Sequence, residues 1–82
     1  MFWTYIIYSE KFDKYYIGFT RDLESRLAAH NHPKNKGYTK RYQPWILVYS
    51  KTFDNKRNAM NHEQYLKSLK SKRAIQELIN VK

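Results

Sequence analysis

Cysteine is absent from this 82-residue chain, glycine and proline occur twice each, and only seven residues are acidic. Without cysteine, the chain has no disulfides, zinc–thiolate sites or thiol nucleophiles. No apolar run reaches the roughly 20 residues that a membrane-spanning helix needs. The first residues also lack the basic segment and apolar run of a signal peptide. We therefore expect a cytoplasmic protein that does not bind a membrane.

The shortage of acidic residues leaves a formal net charge of +9, from sixteen lysines and arginines. On so small a protein this charge predicts a polyanionic partner, because cations that bind phosphates release counterions. We expect that partner to be DNA, and RNA stays open, as does the oligomeric state. A basic protein that merely stays soluble, or one that joins a ribosomal assembly, would carry the same charge.

Hydrophobic residues make up 41% of the chain and aromatic residues 17%, which is enough for a folded protein with one modest core. We expect a single domain over residues 1–82. Two aromatic segments, 3–8 and 15–20, predict a β-hairpin with its turn near Asp13-Lys14. The first strand is apolar on both faces, which predicts a central position in a sheet.

The hairpin carries two tyrosines that we expect to be cross-strand neighbours, Tyr5 and Tyr16. Tyrosine is common in strands, so the pair by itself is equally consistent with ordinary strand residues. Gly18 shares a strand face with Tyr16. It marks a place where the backbone bends or where another group approaches closely.

The remainder of the chain predicts three helices and a third strand. The expected elements are a helix over 21–30 capped by Thr20, a loop over 31–43, a strand over 44–50, and helices over 55–69 and 72–80. The third strand is an unbroken apolar run, so we assign it to the core of the sheet.

Glu63 is the most informative anomaly in the sequence. It lies at helical spacing between Ala59 and Leu66, within the apolar stripe of the second predicted helix. A carboxylate in such a stripe costs free energy unless it is paired or binds a metal. Two explanations follow from the residues alone: a buried ion pair with Arg26, or a metal ligand.

Arg26 and His30 stand one turn apart on the first predicted helix. An arginine there can simply snorkel to solvent, and a lone histidine is usually structural. Two groups that can carry positive charge, in one row beside the tyrosine pair, favour a phosphate site.

Basic residues alternate with tyrosines in the loop over 31–43, a pattern suited to phosphate contact and base stacking. A solvated surface loop has the same composition. With two lysines from the end of the second helix, the predicted nucleic-acid contacts are Lys34, Lys36, Tyr38, Lys40, Arg41, Lys67 and Lys70.

Several of these residues together resemble the core of the GIY-YIG nuclease family, in particular its small single-domain bacterial branch. The matching residues are Tyr5, the triplet Tyr16-Ile17-Gly18, Thr20, Asp22, Leu23, Arg26, Leu27 and His30, with Glu63 in the later helix. The resemblance implies an α+β fold with a three-stranded antiparallel sheet flanked by helices, in the order β-β-α-β-α-α. It extends to the catalytic domains of excision-repair and homing endonucleases.

The same resemblance implies an endonuclease that hydrolyses DNA with one divalent cation, Mg²⁺ or Mn²⁺. The implied catalytic residues are Tyr5, Tyr16, Arg26, His30 and Glu63, with Glu63 as the metal ligand. A single carboxylate is enough for one Mg²⁺, which fills its other positions with water and phosphate oxygens. Tyr16 would act as general base or orient the water, and His30 is the second candidate base.

Three positions depart from the family pattern. Trp3 replaces the glycine of the first triplet and is expected to narrow the site, while Phe19 replaces a lysine of the excision-repair branch and removes a phosphate contact. Asn80 lies farther from Glu63 than the late asparagine of many members. The alternatives are a non-catalytic nucleic-acid-binding module and a protein-binding domain. DNA repair, recombination and mobile-element substrates all stay open.

Overall fold

The computed structural model describes residues 1–80. Its elements are β1 (Phe2–Ser9), β2 (Lys14–Thr20), α1 (Leu23–His30), a 3-10 helix (Tyr38–Tyr42), β3 (Ile46–Phe53), α2 (Lys56–Ser68) and α3 (Lys72–Asn80). This order confirms the predicted α+β fold and adds a 3-10 helix inside the predicted loop. The expected domain boundary at Lys82 lies outside the described residues. Within residues 1–80, no helix combines the length and apolar composition needed to cross a bilayer.

The three strands form an antiparallel sheet in the order β2-β1-β3, which confirms β1 as the central strand. Four consecutive residues of β1, from Thr4 to Ile7, are buried. Because successive side chains in a strand point to opposite faces, this run requires both faces of the sheet to be covered.

Each face of the sheet has its own core. On one face Tyr5, Ile7 and Trp45 are buried against Leu23 and Leu27 of α1. On the other face Ile6 packs with Leu66 of α2 and Ile75 of α3. The hydroxyl of Thr4 also donates to the Ala59 carbonyl oxygen of α2 at 2.7 Å. The central strand therefore fixes α1 on one side and α2 on the other.

The third strand was predicted over residues 44–50 in the core of the sheet, and this prediction was wrong in the strand's place in the sheet and in its burial. β3 runs from Ile46 to Phe53 at an edge of the sheet, and Ile46 and Leu47 are exposed. The buried member of the apolar run is Trp45, just before the strand, whose indole Nε1 donates to the Thr39 carbonyl oxygen at 2.8 Å. An apolar run specifies a strand, but its exposure depends on which elements happen to cover it.

The start of α1 also differs from the prediction. The N-cap is Asp22, whose carboxylate accepts a hydrogen bond from the Ser25 backbone N–H at 3.1 Å. Thr20 does not cap the helix directly. Its hydroxyl accepts a hydrogen bond from the backbone N–H of Asp22, the N-cap residue, at 3.1 Å. Asp22 has an extended backbone and its carboxylate reaches the orphan donor of the first turn, as an N-cap must.

The hairpin turn near Asp13 is confirmed, and it is anchored to the last helix. Asp13 has a φ of 53°, a left-handed conformation that aspartate tolerates better than most residues. Its carboxylate accepts from the Tyr8 hydroxyl and from Lys72 Nζ, both at 2.8 Å. The turn and the start of α3 are thereby held together.

Candidate active site

A cleft of about 830 Å³ opens between the β1–β2 hairpin, α1 and α2. Tyr5, Tyr16, Arg26 and Glu63, which are far apart in sequence, all line it. The helices α1 and α2 pack on opposite faces of the sheet, and both border the cleft beside the β1–β2 hairpin. The structure thus brings four of the five predicted catalytic residues to one cleft, and the fifth, His30, is hydrogen-bonded to Tyr5.

The two tyrosines share a face of the hairpin and are cross-strand neighbours, as predicted, although they are not directly opposite each other. Tyr5 is opposite Gly18, and Tyr16 is opposite Ile7, so the tyrosines are diagonal neighbours. A Cβ built on Gly18 would lie 2.7 Å from Tyr5 Oη and 2.9 Å from Tyr5 Cζ. Of the two explanations for Gly18, the structure selects close approach, since β2 continues to Thr20 without ending at the glycine.

Substitution of Gly18 by alanine should lower the free energy of unfolding by about 1–3 kcal/mol, the usual cost of overpacking a core. The new methyl group would displace the ring of Tyr5, which is buried and bonded to His30. Urea denaturation would measure the loss. Gly37→Ala is the matched control. A Cβ at Gly37 would approach one atom, Asn35 Oδ1, at 3.3 Å, which is a milder contact than the 2.7 Å approach at Gly18. Equal stability of the two variants would contradict the close approach at Gly18.

His30 is buried at the last position of α1, and both of its ring nitrogens have partners. Nε2 lies 2.8 Å from Tyr5 Oη, and Nδ1 lies 3.0 Å from Thr39 Oγ1. The Asn35 side-chain amide donates in turn to Thr39 Oγ1 at 2.8 Å. Sequence reasoning missed Thr39 and Asn35 as positioning residues. Nothing local marks them, because their contact with His30 depends on how the loop folds back.

Burial keeps both members of the Tyr5–His30 pair uncharged. Burial raises the pKa of the Tyr5 phenol well above its usual value; Tyr16 and Glu63 raise it further, whereas Arg26 opposes the rise. Burial also lowers the pKa of His30, and the positive charge of Arg26 lowers it further. At neutral pH the pair is therefore a hydrogen bond between a neutral phenol and a neutral imidazole.

The protein should lose stability as the pH falls below about 6.5, the ordinary pKa of histidine. Because the folded-state pKa of His30 is depressed, the unfolded chain binds more protons in this window, and the free energy of unfolding falls with pH. His62 adds to the effect, since burial and Lys51 lower its pKa too. Denaturation between pH 5 and pH 8 would measure the slope.

The His30→Gln variant should show a shallower slope over the same pH range, whatever its absolute stability. His32→Gln provides the control, because His32 is an exposed histidine two residues away. A slope unchanged by His30→Gln would show that His30 is not the group that takes up the proton.

Glu63 is buried, with 8% of the residue exposed, although it lines the cleft. Its ion pair differs from the alternative raised by the sequence. Among residues 1–80 the partner of Glu63 is Lys67, one turn away on α2, with 3.5 Å between Nζ and Oε2. Lys67, which was predicted as a nucleic-acid contact, also offsets the charge of this carboxylate, and its side chain remains 51% exposed.

The donor set fits one divalent cation. Magnesium is commonly held by one or two carboxylates, with water and phosphate oxygens in the remaining positions. Glu63 supplies one carboxylate on the cleft wall, and residues 1–80 contain no group of three or more histidine or acidic side chains that could hold a metal by themselves. A cation at Glu63 would therefore need oxygens from water and substrate.

None of the seven predicted nucleic-acid contacts lines the cleft itself. Exposed basic residues among them lie on the loop, on the 3-10 helix and just after α2, namely Lys34, Lys36, Lys40, Arg41 and Lys70. Lys40 is partly engaged, since its Nζ donates to the Pro33 carbonyl oxygen. Tyr38 lines a smaller hollow that adjoins the cleft.

Two other basic residues line the cleft and were missed by the sequence analysis. Arg21 follows the end of β2, and Lys56 is the first residue of α2. The sequence could show only that each lies next to the boundary of a predicted strand or helix. The packing of the elements shows that the end of β2 and the start of α2 border the same cleft.

The three departures from the family pattern fall in different places. Phe19 lines the cleft, as expected for the position of a missing phosphate contact. The expectation that Trp3 narrows the site was wrong, because Trp3 borders a separate hollow beside Leu23 and Leu47. Asn80 is exposed at the end of α3.

Two bacterial proteins are similar in sequence to most of this chain. The UPF0213 protein YazA of Bacillus subtilis is 40% identical over 63 residues, covering 77% of this chain and 64% of that protein. A UPF0213 protein of Clostridium perfringens is 39% identical over 66 residues, covering 80% and 71%. The chain thus spans about two thirds of the length of these relatives.

A solved structure has the same fold. The solution NMR structure of the UPF0213 protein BH0048 from Bacillus halodurans superimposes with a TM-score of 0.61 and 31% identity, covering all of this chain and 86% of that one. Residues 1–76 also match the family described as the GIY-YIG catalytic domain. The resemblance seen in the sequence is therefore confirmed, and the chain belongs to the GIY-YIG family.

Proposed function

We propose that this domain is a metal-dependent endonuclease that hydrolyses phosphodiester bonds of DNA. The observation that carries the proposal is the position of Glu63: a buried carboxylate that lines the same cleft as Tyr5, Tyr16 and Arg26. Membership of a family named for its catalytic domain supports a nuclease. The net charge of +9 supports a polyanionic substrate.

The cationic side chains of the cleft would bind the phosphate. Arg26 offers a planar fork of donors that suits two phosphate oxygens at once. Arg21 and Lys56 line the same cleft and would hold neighbouring phosphates of the strand. Both are exposed, so they remain accessible to a long substrate.

Tyr16 would act on the attacking water. Among residues 1–80 its hydroxyl has no hydrogen-bond partner in the protein, so it is free to orient that water or to take its proton. The Tyr5–His30 pair lies beside it, with ring centroids of Tyr16 and His30 5.0 Å apart. A neutral imidazole can accept a proton, and Thr39 and Asn35 would hold it in place for that role.

Glu63 would hold Mg²⁺ or Mn²⁺. When bound, such an ion neutralises charge on the phosphate and stabilises the leaving oxygen. The chain's own contribution is a carboxylate fixed by burial and by Lys67, which limits the positions that the ion can take.

A non-catalytic nucleic-acid-binding module is the second candidate. Its support is that three cations line the cleft, namely Arg21, Arg26 and Lys56, and would bind a phosphate backbone without any reaction. Such a module would bind with a steep salt dependence that survives the loss of Glu63.

The test is a cleavage assay with single-stranded, duplex and branched DNA in Mg²⁺ or Mn²⁺. We expect cleavage of at least one substrate that stops in EDTA. Tight, salt-sensitive binding with no cleavage of any substrate would favour the binding module instead. A protein that neither binds nor cleaves any of these substrates would contradict both functions.

A further inference from the structure

A second hollow, of about 220 Å³, adjoins the cleft and shares Tyr16 and Arg26 with it. Tyr38, on the 3-10 helix, borders its outer side. The rings of Tyr16 and Tyr38 are close to parallel, with an angle of 29° between their planes and 6.5 Å between their centroids. The hollow is thus bordered by two aromatic rings and by the arginine of the candidate active site.

Aromatic rings continue outward from this hollow to the tip of the hairpin. The centroid of Tyr42 lies 5.0 Å from that of Tyr38 and 5.3 Å from that of Phe12. We call Tyr16, Tyr38, Tyr42 and Phe12 the aromatic row. Tyr38 and Phe12 are exposed, Tyr38 by 54%, although large rings normally gain by burial. Exposed rings in a continuous series indicate a surface for a partner with flat faces.

Cations flank the aromatic row. Lys14 Nζ lies 5.6 Å from the centroid of Tyr42, and Lys11 Nζ lies 5.6 Å from the centroid of Phe12. Asp13, at the same hairpin tip, is ion-paired to Lys72 at 2.8 Å, which offsets its negative charge. Rings interleaved with positive charge suit a chain of bases linked by phosphates.

We propose that the aromatic row binds the unpaired bases of a single-stranded nucleic-acid segment and leads that strand into the cleft. The first base would stack on the exposed ring of Tyr38 at the mouth of the hollow, with its phosphate beside Arg26. A duplex keeps its base faces stacked inside the helix and cannot use the row. This inference rests on the proposed nuclease function and deepens it, because it names a single-stranded segment as the substrate class.

The groups around the hollow favour stacking over the reading of base identity. The Asn35 amide donates to Thr39 Oγ1 and to the His30 carbonyl oxygen, and its Oδ1 accepts from the Gly37 N–H. Thr39 is also in contact with His30. The side chains of Asn35 and Thr39, which could otherwise recognise a base edge, are therefore used inside the loop. We expect similar affinity for different base sequences.

Fluorescence anisotropy in EDTA would test the proposal without cleavage. The probes are an oligothymidylate of about 12 nucleotides, within the site sizes of small single-strand-binding folds, an abasic oligonucleotide of the same length, and a duplex of that length. Oligothymidylate should bind more tightly than either other probe. Tyr38→Ala should weaken its binding roughly tenfold, as the loss of one stacking partner does, whereas Tyr38→Phe should bind as the wild type does.

Tyr65→Ala is the matched control, because Tyr65 is 55% exposed and lies on α2, away from the row. Its affinity for oligothymidylate should be unchanged. The proposal is overturned if the abasic or duplex probe binds as tightly as oligothymidylate, or if Tyr38→Ala weakens binding no more than Tyr65→Ala. Failure of the nuclease function would instead appear as base-dependent binding without cleavage in Mg²⁺ or Mn²⁺.

Discussion

Replacing Glu63 by glutamine is expected to slow the cleavage of DNA strongly and to leave the fold and DNA binding in place. Glutamine keeps the shape of the side chain and removes the charge that would hold a divalent cation. The cation would contribute several kcal/mol of charge stabilisation, so the rate should fall on the order of 10³-fold, or about 4 kcal/mol. Initial rates of cleavage in Mg²⁺ and Mn²⁺ measure the effect.

The matched control removes a carboxylate that does not line the cleft. Glu77→Gln on α3 also loses one negative charge, but its side chain is 70% exposed and pairs with Arg73 at the surface. Exposed pairs of this kind contribute little to stability. Cleavage by Glu77→Gln should match the wild type. Undiminished cleavage by Glu63→Gln would remove the basis of the proposed hydrolytic mechanism.

The second large effect is expected for Arg26→Met, which should reduce the rate of cleavage on the order of 10²-fold. Losing one preorganised donor to the developing charge of a transition state typically costs that much. Methionine retains most of the length of the side chain and lacks the guanidinium. Arg26→Lys retains the charge without the fork of donors and should fall between methionine and the wild type.

Arg73→Met is the control for Arg26→Met, because Arg73 has an 89% exposed side chain on α3. It removes the same group and should leave the cleavage rate unchanged. Equal losses in the two variants would mean that Arg26 contributes only general positive charge, and the assigned role would be wrong.

Arg26 also offers a readout that does not depend on cleavage. Its positive charge contributes to the lowered pKa of His30, although burial is the larger cause. Removal of the guanidinium in Arg26→Met should therefore raise the pKa of His30, and an NMR titration of the His30 ring would follow the change. An unchanged pKa would mean that the two side chains are farther apart than the structure places them.

Local patterns in the sequence were enough for most elements of the fold. The alternation of aromatic residues predicted the β1–β2 hairpin, and helical spacing predicted α3 from Lys72 to Asn80, the bounds that the structure shows. Glu63 also stood out by its spacing alone. In a helix it shares a face with Ala59 and Leu66, and this is the buried face of α2. Such features depend on residues within one or two turns of each other, so the sequence expresses them directly.

Contacts between distant elements were not predictable in the same way. The sequence did not show that Tyr5 lies opposite Gly18, since the register of a hairpin also depends on the geometry of its turn. It gave no sign that Thr39 would contact His30, which depends on the path of the loop and the burial of Trp45. Nor could the apolar run of β3 reveal that its strand lies at an edge.

Composition, periodicity and a short motif were sufficient to predict the α+β class, the positive charge and the family, because they are properties of the chain alone. Tertiary structure decided which charges meet. It placed Lys67, rather than Arg26, beside Glu63, and it brought Arg21 and Lys56 into the cleft. The physical reason is that the site is assembled beside β2 from residues of α1 and α2, which pack against opposite faces of the sheet. No local sequence pattern specifies how these two helices are placed relative to each other.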